Sequence, residues 1–171
     1  GKLNQKIASE ILTIIDDPFI KKGLGSRLFD GEGIAAKVMP VIEKGILKNY
    51  YIDTYYGRKL GMNPTTGSSS NIILELGTQS LDDMIKQVNR GILITSFLGG
   101  NSNSTTGDFS FGIQGFLIEN GDIVKPVNEM NISGNLGEFW NMLVAAGNDP
   151  YPYSSMQTPS LMFEGIQFSG I

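Results

Sequence analysis

The stretch "DFSFGIQGFLIENGDIVKPV", residues 108–127, contains the strongest hairpin signal in the chain. Asn120 and Gly121 lie between two apolar runs, and this residue pair tolerates the positive φ angles that a type I′ turn requires. Other β-favouring runs flank this hairpin on both sides: "ILTII" (11–15), two runs within residues 34–53 that meet at Glu43-Lys44-Gly45, "IILEL" (72–76), "ILITSF" (92–97) and the tail (159–171). The sequence therefore predicts a β-rich domain.

Three or four short helices are predicted between these strands, at four candidate positions. They are a helix at the start of residues 3–18 that passes into a strand, "TYYGRKLG" (54–61) ended by Gly61, a helix capped by Ser80 and finished at Arg90-Gly91, and "LGEFWNMLVAAG" (136–147) capped by Asn135. Pro40 indicates an edge position for its strand, because proline cannot donate to a ladder. Since no regular βαβ alternation occurs, the fold class predicted is α+β, with a predominantly antiparallel sheet or a partly closed barrel.

Length and composition exclude several classes of protein. The 171 residues are predicted to form a single domain, and their net charge of −4 with no basic run longer than Lys21-Lys22 argues against direct binding of nucleic acid. No apolar run is long enough to cross a membrane and no secretion signal is visible, which is compatible with a cytoplasmic protein. The chain has no histidine and no cysteine. The usual zinc ligands, a histidine base and a thiol nucleophile are therefore all missing.

The loop "GGNSNSTTGDFSFG", residues 99–112, is the most conspicuous polar segment. It does not match a Walker loop, because Gly107 is followed by Asp108 rather than lysine, and it has too few carboxylates in register for a calcium loop. Two interpretations stay open, a plain connection between strands and the lip of a binding site, since loops carry a large share of binding residues.

Other polar and aromatic residues have structural interpretations beside the functional ones. The acid pairs Asp16-Asp17 and Asp82-Asp83 could serve acid–base chemistry, but neighbouring side chains diverge in strands and helices, so a turn and a helix N-terminus are favoured. Ser26 lies in no recognised nucleophile motif. The tyrosine pairs at 50–51 and 55–56 could stack on a ligand, although packing is the more common role.

Five segments together resemble the C-terminal domain of the TldD/PmbA family, whose older label is "modulator of DNA gyrase". They are "LTIIDDP" (12–18), "GLGSRLFDGEG" (23–33), "VIEKGILKNYYIDTYYGRKLG" (41–61), "GDFSFGIQGFLIENGDIVKPV" (107–127) and "ISGNLGEFW" (132–140) with "GND" (147–149). The likeness covers nearly the whole chain in order. Family members are longer, so the resemblance implies a C-terminal portion whose N-terminal half is absent.

The resemblance implies a cytoplasmic, dimeric protease that acts on peptides or unfolded proteins. In the TldD branch an H-E-x-x-x-H motif and a cysteine near the C-terminus hold zinc, whereas the PmbA (TldE) branch lacks the metal motif and its subunit partners TldD. Residues 147–163, where the cysteine would fall, contain none. No catalytic residue, metal ligand or cofactor is therefore carried over to this chain, and zinc is expected only in a TldD-type partner.

The sequence "SSSNIILELGTQSLDDMI" (68–85) resembles the PmbA branch of the family. The expected function is a non-catalytic scaffold and dimerisation domain of a PmbA-type subunit in a zinc-dependent peptidase assembly, with a TldD-type subunit or a second copy as partner. The alternative is a peptide-binding or assembly module without a proteolytic role, holding an extended peptide at a sheet edge. In either case Asn101, Asn103 and Asp108 are the candidate contacts to peptide at the edge of a cleft.

Overall fold

The computed structural model describes residues 1–170, which form two compact units. Unit 1 comprises Gly1–Leu76 and Asp149–Pro159, and unit 2 comprises Gly77–Asn148 and the chain from Ser160 onward. The described strands are β1 Ile14–Asp16, β2 Met39–Glu43, β3 Ile46–Leu47, β4 Ile72–Leu74, β5 Arg90–Ser102, β6 Asp108–Glu119, β7 Asp122–Asn135, β8 Leu143–Ala146, β9 Met156–Gln157, β10 Leu161–Phe163 and β11 Phe168–Ser169. The helices are α1 Thr54–Leu60, α2 Leu81–Lys86 and α3 Leu136–Phe139.

The strands of unit 1 form one sheet in the order β3-β2-β1-β4-β9. All neighbours in it are antiparallel except β4 and β9. The strands of unit 2 form a four-stranded antiparallel sheet, β11-β7-β6-β5, and a two-stranded sheet, β10-β8. Within residues 1–170 none of these sheets closes into a barrel. The α+β class with mostly antiparallel strands is confirmed, and the sheets are open.

The hairpin predicted at Asn120-Gly121 is confirmed, and the two runs that meet at Glu43-Lys44-Gly45 form a second hairpin with a two-residue turn. Asn120 and Gly121 have φ angles of 53° and 84° between β6 and β7, and Lys44 and Gly45 have φ angles of 47° and 75° between β2 and β3. Two successive positive φ angles are what a type I′ turn requires. The edge strand predicted from Pro40 is wrong, because β2 lies between β3 and β1, although Pro40 itself pairs only with Ile15 of β1. The ladder shifts register beside Pro40 instead, and such a bulge tolerates a missing N–H.

The first predicted helix is also wrong. Residues 3–13 form turns, and their backbone amides donate to the β2–β3 hairpin: Asn4 N to Leu47 O at 2.7 Å and Ile7 N to Gly45 O at 2.8 Å. Ala8 and Leu12 are buried in unit 1. Pairing with a distant segment therefore replaces the local hydrogen bonds of a helix.

The helices α1 and α2 occur where they are predicted, although α2 ends at Lys86 rather than at Arg90-Gly91. Ser80 and Asp83 form a capping box at the start of α2. The helix predicted over 136–147 is too long, because α3 ends at Phe139, a 3₁₀ turn follows, and β8 begins at Leu143 to pair with β10. None of the helices within residues 1–170 is long and apolar enough to span a membrane.

The core of unit 2 lies on one face of its larger sheet. Phe109 and Ile113 on β6 and Ile132 on β7 are buried, and Phe139 of α3 packs against this cluster. The rings of Phe109 and Phe139 meet edge to face at 5.4 Å. Because Phe109 is the second residue of β6, this core holds the start of β6 in place next to the loop that precedes Asp108.

Candidate functional site

The loop between β5 and β6, residues 103–107, is a tight turn closed by its own polar groups. The Asn103 side-chain oxygen accepts hydrogen bonds from Thr105 N at 2.9 Å and Thr106 N at 3.3 Å. The backbone adds Gly107 N to Asn103 O at 2.7 Å and Asn103 N to Asp108 O at 2.8 Å. Gly107 has a φ of +85°, which a residue with a side chain adopts only with strain. The sequence Asn-Ser-Thr-Thr-Gly thus specifies its own turn.

Asp108 anchors this turn to the end of β7. Its carboxylate accepts hydrogen bonds from Asn135 Nδ2 at 2.9 Å and from Thr106 Oγ1 at 2.7 Å. These bonds from Asn135 and Thr106 lower the pKa of Asp108 below its ordinary value, so the group is a carboxylate at neutral pH. The Asn135 amide also donates to Thr106 O at 2.8 Å and accepts from Gly137 N at 2.9 Å. One side chain therefore joins the turn to the first residues of α3.

Asn101, the third predicted contact residue, takes no part in the hydrogen bonds of this loop. It lies on β5 opposite Ser110, it is exposed, and its side chain has no hydrogen-bond partner within the part of the chain that the structure describes. The structure thus brings Asn101, Asn103 and Asp108 together at one end of the β5–β6 hairpin. Asn103 and Asp108 hold the turn, whereas Asn101 presents an amide that is open to a ligand.

The outer edge of β5 borders this loop. Among the described strands β5 pairs only with β6, and no residue from Gly91 to Ser102 is charged. Phe97 and Leu98 are 60% and 50% exposed. Uncharged, unpaired strand edges readily accept another strand, and proteins usually protect them with charges or proline. The β5 edge with Asn101 is therefore the candidate peptide site of unit 2.

A buried polar cluster in unit 1 was not found by sequence reasoning, which interpreted Asp16 as a turn residue. The Asp16 carboxylate is 3% exposed. It accepts hydrogen bonds from Ser70 N at 3.0 Å, from Tyr51 Oη at 2.8 Å and from Ser70 Oγ. Burial and the bond to Asp16 raise the pKa of Tyr51 far above its ordinary value, so the phenol stays protonated. Ser70 lies 54 residues from Asp16, and no local pattern reveals such a contact.

A second cluster beside it ties residues 20–27 to residues 68–71. Asn71 is fully buried, and its side-chain oxygen accepts a hydrogen bond from Gly25 N at 2.8 Å. Its side-chain nitrogen donates to Asp17 O at 2.7 Å and to Ser26 Oγ at 3.0 Å. Arg27 donates to Ser68 Oγ at 3.0 Å and to Ser68 O. Ser26 also donates to Ile20 O at 2.6 Å, so its hydroxyl is part of a structural network. Both clusters stabilise the loops of unit 1.

The donors in this chain do not fit a zinc site of the kind that the family resemblance implies. The sequence has no histidine or cysteine. Within residues 1–170, moreover, no three acidic side chains lie close enough together to hold a metal ion. Zinc sites in proteins take most of their ligands from histidine nitrogen and cysteine sulfur. No metal-dependent step can be derived from these residues.

Comparison with known proteins gives a consistent result. Residues 1–170 match the family model described as the PmbA/TldA metallopeptidase C-terminal domain. A "Metalloprotease PmbA homolog" from Buchnera aphidicola subsp. Baizongia pistaciae is 42% identical over 99% of this chain and 38% of its own length. The chain thus spans about two fifths of the relative that it matches.

Solved structures agree with this match. A protein from Bacteroides thetaiotaomicron described as a modulator of DNA gyrase is 54% identical, with a TM-score of 0.97 over 100% of this chain and 39% of its own. TldE from Thermococcus kodakarensis is 29% identical, with a TM-score of 0.88 over 99% of this chain and 42% of its own. The resemblance inferred from the five sequence segments is confirmed. The chain therefore belongs to the PmbA/TldD metallopeptidase family, of which it represents the C-terminal domain.

Proposed function

We propose that this chain is a non-catalytic scaffold and dimerisation domain of a PmbA-type subunit in a cytoplasmic, zinc-dependent peptidase assembly that acts on peptides or unfolded proteins. One observation carries the proposal: a chain of a metallopeptidase family has no histidine and no cysteine. The similarity to proteins named PmbA and TldE supports the choice of branch.

In this assembly the metal chemistry belongs to a TldD-type partner. This chain supplies the sheets of units 1 and 2, with loops fixed by the Asp16 and Asn71 clusters and by the Asn135 anchor. A scaffold of this kind positions a partner's site without contacting the reacting atoms. Buried, hydrogen-bonded polar groups suit that role because they restrict the loops to one arrangement.

The test uses the purified chain and a TldD-type subunit that carries the H-E-x-x-x-H motif. We expect the two to associate in size-exclusion chromatography with light scattering, and we expect zinc-dependent cleavage of an unfolded peptide to require both. A TldD-type subunit with its motif glutamate changed to glutamine is the matched control, which should associate but not cleave. If the chain neither associates nor supports cleavage, the proposal fails for this domain.

A second candidate function is peptide binding by the β5 edge without proteolysis. The observation that favours it is the uncharged, unpaired edge beside the open amide of Asn101. Such an edge would hold an extended peptide through main-chain hydrogen bonds. The binding would need neither a metal nor a partner subunit.

An unfolded peptide labelled with a fluorophore distinguishes the two functions. Binding to the chain alone in the presence of a chelator, weakened severalfold by Asn101→Ala, would favour the second. The matched control is Ser104→Ala in the same exposed loop, for which we expect unchanged affinity. Binding that appears only with the TldD-type subunit would favour the first.

A further inference from the structure

The helix α1 presents aromatic and basic side chains outward instead of an apolar stripe inward. Tyr55, Tyr56 and Leu60 are 63%, 52% and 59% exposed, and the side chains of Arg58 and Lys59 are also exposed. The only buried residue of α1 is Gly57. Helices at a protein surface usually turn their large apolar residues toward the core. The exposed side of α1 therefore has the composition of an interaction surface rather than of a solvated helix.

Close packing through Gly57 explains this orientation. A Cβ atom at Gly57 would lie 3.0 Å from the Met62 backbone oxygen and 3.1 Å from Pro64 Cγ. The helix backbone thus lies directly against the loop that follows it, with no room there for a larger side chain. Tyr55, Tyr56 and Leu60 consequently project away from this contact.

The ends of α1 are firmly held. The Asp53 side chain accepts from Tyr56 N at 2.7 Å, and Gly61 closes the helix with a φ of 66°. The Glu32 carboxylate accepts from both Thr54 N at 2.8 Å and Thr54 Oγ1 at 2.7 Å. A helix backbone fixed in this way needs no further ordering when its side chains bind a partner.

The chemistry of this surface is cationic and aromatic. The rings of Tyr55 and Tyr56 meet edge to face at 5.1 Å, and Lys59 Nζ lies 5.9 Å from the centre of each. No ion pair within residues 1–170 involves Arg58 or Lys59, and α1 itself contains no acid. The two cations stand out in a chain whose net charge is −4. Carboxylates next to a large apolar or aromatic group complement both features.

We propose that the α1 face, defined as Tyr55, Tyr56, Arg58, Lys59 and Leu60, binds acidic peptide segments that carry an aromatic or large apolar side chain. A single-stranded nucleic acid fits less well, because it requires a cationic groove several nucleotides long with stacking faces along it. Two cations on one short helix do not provide such a groove. This surface is independent of the scaffold function proposed above.

The test uses the full chain and two fluorescein-labelled hexapeptides, measured by fluorescence anisotropy. One has four glutamates with one phenylalanine and one leucine, and the other has glutamine at the four acidic positions. We expect binding of the glutamate peptide to weaken about tenfold in the double variant R58Q/K59Q, because two charge-assisted contacts are lost. The matched control K21Q/K22Q removes the same charge elsewhere in unit 1 and should change the affinity less than about twofold.

A second measurement needs no variant. Raising the salt concentration should weaken binding of the glutamate peptide to the unmodified chain, and it should leave any binding of the glutamine peptide unchanged. The proposal is overturned if both peptides bind equally, if K21Q/K22Q weakens binding as much as R58Q/K59Q, or if no binding occurs at about 1 mM peptide. Tighter binding of a twelve-nucleotide oligothymidylate than of the glutamate peptide would overturn it as well.

Discussion

The carboxylate of Asp16 joins three parts of unit 1, because it accepts from Ser70 and Tyr51 while its own backbone lies in β1. Asp16→Ala would leave the Ser70 and Tyr51 donors without an acceptor in a buried site. We expect a loss of about 3 kcal/mol in the free energy of unfolding, measured by urea denaturation.

Asp17→Ala is the matched control for Asp16→Ala. The Asp17 side chain accepts from Phe19 N at 2.8 Å in a more accessible turn, so its loss should cost about 1 kcal/mol. Equal losses in the free energy of unfolding would show that the buried Asp16 cluster stabilises unit 1 no more than the exposed turn does.

Asn135 controls the ionisation of Asp108. Because its amide is the main cause of the lowered Asp108 pKa, Asn135→Ala should move that pKa back up toward the ordinary value. NMR titration of the Asp108 side chain measures this shift, with Asn141→Ala as the control that should leave it unchanged. An unshifted Asp108 would contradict the anchoring role of Asn135.

The same contact sets the sign of a pH effect. A carboxyl group whose pKa is lower in the folded state stabilises that state above its unfolded pKa, near pH 4, and the contribution is lost as the pH falls through the folded value. The stability contributed by Asp108 is therefore fully present at neutral pH and disappears only in acid. Asn135→Ala should reduce this acid dependence.

At the level of elements, the pairing of β6 with β5 requires a glycine at position 115, where the two backbones lie very close together. A Cβ atom at Gly115 would overlap the backbone of Leu93 on the neighbouring strand. Gly115→Ala must push the strands apart, and we expect it to destabilise unit 2 by about 2–3 kcal/mol in thermal or urea unfolding. Gly134→Ala on β7 is the control, since its Cβ would meet only the edge of the Phe109 ring at 3.4 Å. Similar losses of stability for both variants would show that close approach of Gly115 to Leu93 is not the cause.

The elements predicted correctly are those that neighbouring residues specify. The β6–β7 turn follows from Asn120-Gly121, and α2 follows from Ser80 with Asp83 three residues later. The elements predicted wrongly depend on distant partners: residues 3–13 pair with the β2–β3 hairpin, and β8 pairs with β10. Periodicity within a segment cannot reveal a hydrogen-bonding partner elsewhere in the chain.

The candidate site follows the same rule. Asn101, Asn103 and Asp108 lie near one another because they are close in sequence, and this proximity could be predicted. The use of Asp108 as an anchor depends on Asn135, which is 27 residues away. The Asp16 cluster, with partners 35 and 54 residues away, had no signal in the sequence beyond the polar residue types themselves.

At the scale of the whole molecule, the lack of histidine and cysteine ligands predicts that the isolated chain does not retain zinc. The chain has 17 acidic residues but no histidine or cysteine, and no three acids within residues 1–170 converge on a common point. Isolated carboxylates hold zinc too weakly to retain it through dialysis. After exposure to zinc and dialysis, we expect less than about 0.1 equivalent of bound metal by elemental analysis. A chelator should leave the melting temperature unchanged, because a ligand that does not bind the folded state cannot stabilise it.

The proposed complex with a TldD-type subunit is the comparison for this prediction. Carried through the same dialysis, it should retain the zinc that the TldD-type subunit alone retains and no more, because this chain adds no ligand. Stoichiometric zinc on the isolated chain, or a lower melting temperature in chelator, would contradict the proposed non-catalytic role. Extra zinc found only in the complex would instead place carboxylates of this chain at a shared site, which the peptidase assay with separate acidic-residue variants would locate.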